Sequence, residues 1–372
     1  MGRYRGEVVY LYAFDVAGEI RAGTLKEFLG RPVEQFAVDV NRRHPRQAFF
    51  QQPQMVRLEP QERSGPRGPV RVLRTVKILP IGAICIAVRV SFEVDRLEEL
   101  VVFHDVEFSD GTLHVAVRRL ADEARKELAP HCVRPVEQLS DEEAYTVFCF
   151  DAGPLGAGSL HFSAQDWLKS HRREAAALLT QEVDVAHLSE REAEESTGRW
   201  LSYYDDDLVV ADWDAALLVD EPAQFDETLH VMELANLQLG ELEVYDRMLD
   251  ERMERAYRDL RGGGYRSRRE VLQDLREIRV ELARFSDQLS NITKFFGDYH
   301  LARVYQVVAE RFHLADWDRT LDEKLKVLDN LYEMLQQEQL NRWMLILEIS
   351  IVVMFVLDLI ILFLELLRQK PG

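Results

Sequence analysis

The chain has little of what small secreted domains and metal centres are built from. Its 372 residues include only three cysteines, Cys85, Cys132 and Cys149. That is too few for a disulfide framework, and no Cys-x-x-Cys pair exists for zinc or thiol redox chemistry. The histidines form no His-Glu-x-x-His, and His131 beside Cys132 is not a ligand spacing. Positive charge is in deficit: 46 Lys and Arg against 65 Asp and Glu leave a net charge of −19. Such a molecule repels nucleic acid, so no direct nucleic-acid binding is expected. No N-terminal leader is expected either, because MGRYRGEVVYLYAFDV runs straight into an apolar strand pattern.

Phosphate and metal motifs are incomplete. Gly153, Gly156 and Gly158 stand between a strand pattern and a helix pattern, but the lysine of a phosphate loop and the dinucleotide spacing are both absent. A plain connection is the expected role. Asp205, Asp206 and Asp207, with Asp212 and Asp214 nearby, invite a divalent cation. Consecutive residues of a strand point in alternate directions, however, so the three cannot converge on one ion. The expectation is a protein without a cofactor, a metal or a catalytic set, and so not an enzyme.

What is present is one long apolar run. Trp343 to Leu364 reads WMLILEISIVVMFVLDLIILFL, about 33 Å of helix at 1.5 Å per residue, enough to cross a bilayer. Arg342 and Trp343 flank one end, and Arg368 and Lys370 the other, as interfacial anchors do. With so little sequence beyond it, the run is expected to be a tail anchor with everything before it in the cytoplasm. Glu348 and Asp358 interrupt the run. Each costs about 2.5–3.5 kcal/mol near a bilayer centre, so protein or water is the surrounding they favour.

The rest divides in two. Residues 1–221 alternate strand and helix patterns. Strand-like stretches fall at 8–16, 55–60, 70–79, 81–94 and 144–152, and a hairpin at 205–220. Leu113, Val117, Leu120 and Ala124 keep helical spacing, as does the stripe within 163–182. An antiparallel-rich α+β domain is implied, with an element order suggesting two ferredoxin-like halves. From 222 to 341 helical periodicity dominates. Phe225, Leu229, Met232, Ala235 and Leu239 begin one helix face. Gly262-Gly263-Gly264 breaks it, and Ser267 with Glu270 caps the next helix, as in a helical hairpin. Leu321, Leu325, Leu328, Tyr332 and Leu335 repeat at four and three, a coiled-coil core for a stalk. One helix is predicted to run unbroken from about 318 into the apolar run, so that 342–367 forms the transmembrane segment.

Charge is also segregated. Residues 200–261 hold 17 acids and 5 arginines, read chiefly as a solvated surface. Arg258, Arg261, Arg266, Arg268 and Arg269 surround the glycine break as a basic knot and a candidate anion site.

Three stretches carry a family resemblance: VVYLYAFDVAG near the start, LSYYDDDLVVADWDAALLVDEP with its Trp213, and LDEKLKVLDNLYEMLQQEQLNRWMLILEISIVVMFVL. They resemble the "required for meiotic nuclear division" family, proteins of unknown function with a C-terminal membrane anchor. The resemblance implies a membrane-anchored homo-oligomeric scaffold that recruits a cytoplasmic partner, with a link to translation in one branch. The absent transit peptide, and arginine making up 38 of 46 basic residues, point to a bacterial inner membrane. The alternative is an oligomeric ion-conducting protein shaped like CorA-type channels, with Glu348 and Asp358 lining the pore.

Overall fold

The computed structural model describes residues 4–21, 25–36, 53–109, 111–139, 142–156, 162–262, 279–280, 283 and 299–368. Two compact units divide the chain: Met1–Val244 with Leu282–Asp318, and Tyr245–Glu281 with Arg319–Gly372.

The first unit is α+β. Its strands are β1 (Tyr4–Asp15), β2 (Ala17–Ile20), β3 (Glu27–Phe28), β4 (Arg31–Pro32), β5 (Glu34–Gln35), β6 (Gln54–Arg57), β7 (Gln61–Gly65), β8 (Gly68–Ile78) and β9 (Ala83–Val94). After these come β10 (Glu107–Phe108), β11 (Gly111–Thr112), β12 (Cys132–Pro135), β13 (Glu143–Asp151), β14 (Trp200–Leu201), β15 (Leu208–Ala211) and β16 (Ala215–Asp220). Ten of them form one sheet in the order β14-β15-β16-β13-β1-β9-β8-β6-β5, with β7 also on β8. These ten strands join one continuous sheet, where the element order suggested two ferredoxin-like halves, and the other six pair as β10-β11, β12-β2 and β3-β4. Every pairing in it is antiparallel except β13 with β16.

β1 lies at the centre, between β13 and β9. Val8, Tyr10, Tyr12 and Phe14 pack into the main core, while Val9, Leu11 and Ala13 are buried on the opposite face. A strand buried on both faces reads as a near-continuous apolar run, which is why VVYLYAF shows no polar alternation. Gly82 ends the tight turn into β9. Its φ is +105°, and a Cβ there would stand 1.8 Å from the Ala17 carbonyl oxygen, so only glycine fits.

Helices cover both faces. On the first are α1 (Leu113–Leu128), the single turn α2 (Ala152–Leu155), α3 (Ala164–Ser170), α4 (Arg172–Leu179) and α5 (Glu190–Thr197). Leu113, Val117, Leu120 and Ala124 of α1 join the main core as their spacing predicts, with Trp167, Leu168 and Leu178. Against the second face lies the start of α6 (Phe225–Gly262). There Leu237 packs on Ala13, Ala83 and Cys85, and Asn236 donates to the Glu143 carbonyl at 3.1 Å. A further helix, α7 (Tyr299–Arg311), leads to Phe312, which meets the Tyr145 ring edge-on at 5.0 Å.

The second unit is helical. From Arg319 on it contains most of α8, the helix Leu314–Arg368, which is 55 continuous residues long, as the sequence predicts for the stretch from about 318. Leu321, Leu325 and Leu328 are buried, and Lys324 reaches Asp246 and Asp250 of α6, each at 2.6 Å. These leucines are therefore covered within a single chain. The side chains of Tyr332 and Leu335 lie outside the described residues.

Candidate functional site

The stretch Trp343–Leu362 of α8 is long and apolar enough to cross a membrane, with mean hydropathy 2.8, and it is not buried against the rest of the chain. Trp343 and the aliphatic residues after it are about half exposed or more. Glu348 and Asp358 are exposed along the same stretch, and Ser350 returns its hydroxyl proton to the Leu347 carbonyl at 2.7 Å. The side chain of Arg342 lies outside the described residues.

The other sequence candidates separate. Arg258 is exposed, and its Nε donates to the Glu254 carbonyl at 3.4 Å. Arg266, Arg268, Arg269 and the side chain of Arg261 lie outside the described residues, as does Gly158. Asp151 caps the short turn α2 by accepting from the Gly153 amide at 3.0 Å, the geometry of a plain connection. Asp205 and Asp206 are exposed, whereas Asp207 turns inward and accepts from the amides of Tyr203 and Tyr204 at 2.6 and 3.1 Å. Among the described residues no cluster of histidine, cysteine and acids could hold a metal ion.

Most of the described acids of the segment 200–261 are exposed or half-buried, in line with a solvated surface, but four are not. Asp207, Asp212, Glu233 and Glu241 are buried. Two of these acids anchor ion pairs that sequence spacing did not connect. Asp212 Oδ1 accepts from Arg311 Nε at 2.7 Å and from the Trp213 amide at 2.9 Å. The pair is almost fully enclosed, with side-chain exposures of 6% and 11%.

Glu233 belongs to a second pair beside a groove of the head, of about 390 Å³, over β1, β6, β8 and β9 at the flank of α6. Val9, Leu11, Leu73 and Leu229 give it apolar walls, and Arg57, Thr75 and Arg89 a polar rim. Lys77 and Glu233 also line it. These two are hydrogen-bonded, and His230 Nδ1 lies 3.2 Å from the same carboxylate. The Lys77 ammonium stands 4.0 Å over the Phe36 ring, and Phe36 tilts against His230 at 4.6 Å. At the rim Arg89 joins Glu7 at 3.0 Å and also bonds Asp226. An apolar groove with a few fixed polar groups has the size and composition of a small-ligand site. The signal in the sequence that could have found it is Lys77 within the strand pattern VRVLRTVKIL.

Burial and the neighbouring Lys77 hold the His230 imidazole below its ordinary range. Burial likewise lowers His104, whose ring bonds the Leu178 carbonyl. Burial pushes Glu233 up, but Lys77 and His230 outweigh it and the carboxyl sits low. The sign follows. Both histidines are neutral when folded and take protons more readily when unfolded, so stability is full above about pH 6.5 and falls as the pH drops below it. Each contributes at most about 1.4 kcal/mol per pH unit. Denaturant midpoints taken between pH 7.5 and 5 should decline, and the double substitution His104→Gln with His230→Gln should flatten that decline. An unchanged slope would remove the histidines from the explanation.

The comparisons with known proteins bear on the head. Residues 5–226 match the family model described as "Uncharacterized protein MJ0711, N-terminal domain". The chain belongs to this family. A relative, the uncharacterised protein MJ0711 of Methanocaldococcus jannaschii, is 24% identical over 220 residues, which cover 59% of this chain and 65% of that protein. The chain thus spans less than two thirds of that relative's length. No solved structure matches.

Membership in the MJ0711 N-terminal-domain family overturns the resemblance to the "required for meiotic nuclear division" family. Its apparent motifs were short runs of common strand and anchor residues, which unrelated proteins share. The expectation of a translation-related partner rested on that resemblance alone and loses its basis. The archaeal source of the relative likewise leaves the bacterial assignment without support. What stands is an MJ0711-type α+β head and one candidate membrane-spanning helix.

Proposed function

We propose that the protein is a single-pass membrane scaffold, held by 343–362, that self-associates through this helix and presents its α+β head to a cytoplasmic protein partner without catalysing a reaction. One observation carries the reading: the helix Leu314–Arg368 passes without a break into a stretch of lipid-spanning length whose side chains are exposed. Leu321, Leu325 and Leu328 are covered within the chain, so this reading assigns self-association to the exposed apolar stretch. Glu348 and Asp358 give it a reason to pair, because each costs about 2.5–3.5 kcal/mol when it faces lipid. The second reading, a pore lined by these acids, draws on the same two residues.

The test is the mass of the detergent-solubilised full-length protein beside that of the double variant Glu348→Leu with Asp358→Leu. The scaffold reading expects a defined oligomer that becomes monomeric in the variant while the protein stays in the membrane fraction. A monomeric wild-type protein would overturn it. A cation flux through reconstituted vesicles that the variant abolishes would favour the pore instead.

A further inference from the structure

We propose that an exposed aromatic strip on the head docks an extended, arginine-bearing segment of a partner protein. Tyr203, Tyr204, Trp213 and Tyr299 are 54%, 50%, 51% and 77% exposed. They fall in two clusters at opposite ends of α7. At its start, Tyr203 meets Tyr204 edge-on at 4.7 Å and tilts against His300 at 5.5 Å, next to Tyr299 in the chain. Just past its end, Trp213 stacks on His313 at 5.0 Å. The helix between them has 13 residues, about 20 Å at 1.5 Å per residue. About six residues of extended chain, at about 3.3 Å each, span that distance.

Tyrosine and tryptophan left half exposed on rigid elements are the residue types that anchor protein interfaces. The clusters are rigid because Asp207 fixes the turn holding Tyr203 and Tyr204 through their amides, and Asp212 fixes Trp213 through its own. Charge selects the occupant. The exposed Asp205 and Asp206 follow Tyr204 in the chain, and the exposed Asp214 follows Trp213. These acids repel an anionic bilayer or nucleic acid and attract a cation. A guanidinium is the cation that both stacks on aromatic faces and pairs with carboxylates in a fork, which an ammonium does less well. The inference deepens the scaffold reading by giving the partner's chemistry. Its test does not involve self-association, so either can fail alone.

The test uses full-length protein in neutral detergent and fluorescein-labelled hexa-arginine and hexa-lysine peptides, followed by anisotropy at about 0.1 M salt, where distant charges are screened. The expected result is saturable binding of hexa-arginine about tenfold tighter than hexa-lysine, with Tyr204→Ala plus Trp213→Ala weakening it about tenfold. Asp205→Asn plus Asp206→Asn should weaken it and flatten its salt dependence. Glu251→Gln plus Glu254→Gln, exposed on α6, should leave it unchanged. Three outcomes overturn the proposal. One is no binding of either peptide. Another is equal binding of both that the aromatic variant does not alter, which reports general attraction to an acidic protein. The third is hexa-arginine binding that Glu251→Gln plus Glu254→Gln weakens as much as the aromatic variant does.

Discussion

Replacing Lys77 by methionine is expected to destabilise the head by about 3–5 kcal/mol, the cost of stranding a buried carboxylate. Glu233 is 5% exposed at its side chain and Lys77 10%. The second oxygen of Glu233, Oε1, is buried without a hydrogen-bond partner among the described residues, so the ammonium carries most of the compensation. His230 cannot replace it, because burial keeps that imidazole neutral near pH 7. Removing both charges should cost much less, since a buried pair exchanged for apolar residues of like volume is near neutral. Denaturant unfolding of Lys77→Met and of Lys77→Met with Glu233→Leu decides this. A loss under about 1 kcal/mol in the single variant, or a double variant no better than the single, would contradict the account of the site.

Asp212→Ala should have an effect of similar size, about 3–5 kcal/mol, by the same logic with the cation stranded. Arg311 is only 11% exposed, and both its Nε and its Nη2 turn to the one Asp212 oxygen. The substitution also frees the Trp213 amide. Tyr145 donates to the Asp212 backbone carbonyl at 3.0 Å, a bond that survives the change. Asp212→Asn keeps an acceptor for the guanidinium and should lose less than the alanine variant. Equal losses in the two variants would mean that charge is not what holds the hairpin to Arg311.

The head's strands were legible because apolar runs bounded by turn residues need no tertiary information. The stretch 81–94 becomes β9 at Ala83–Val94, and 144–152 becomes β13 at Glu143–Asp151. The long C-terminal helix was legible for the same reason, as periodicity passing without a breaker into an apolar run. What stayed hidden was the polar side of α6. A helical stripe at Phe225, Leu229 and Met232 makes His230 and Glu233 look solvated, yet all of these are buried. Their burial depends on Lys77, 156 residues from Glu233, and a local pattern cannot see that partner. The pair Asp212 and Arg311, 99 residues apart, was hidden likewise. The aspartate run was read as part of a strand, but it lies in the turn before β15, where Asp207 caps the amides of Tyr203 and Tyr204.

The most direct test of the account is alkaline carbonate extraction of membranes from cells expressing the full chain or a chain ending at Asn341. The account predicts that the full chain stays in the pellet after extraction and that the shortened chain appears in the soluble fraction, folded. A full chain released by carbonate, or a shortened chain retained like the full one, would contradict the claim that Trp343–Leu362 anchors this protein in a bilayer.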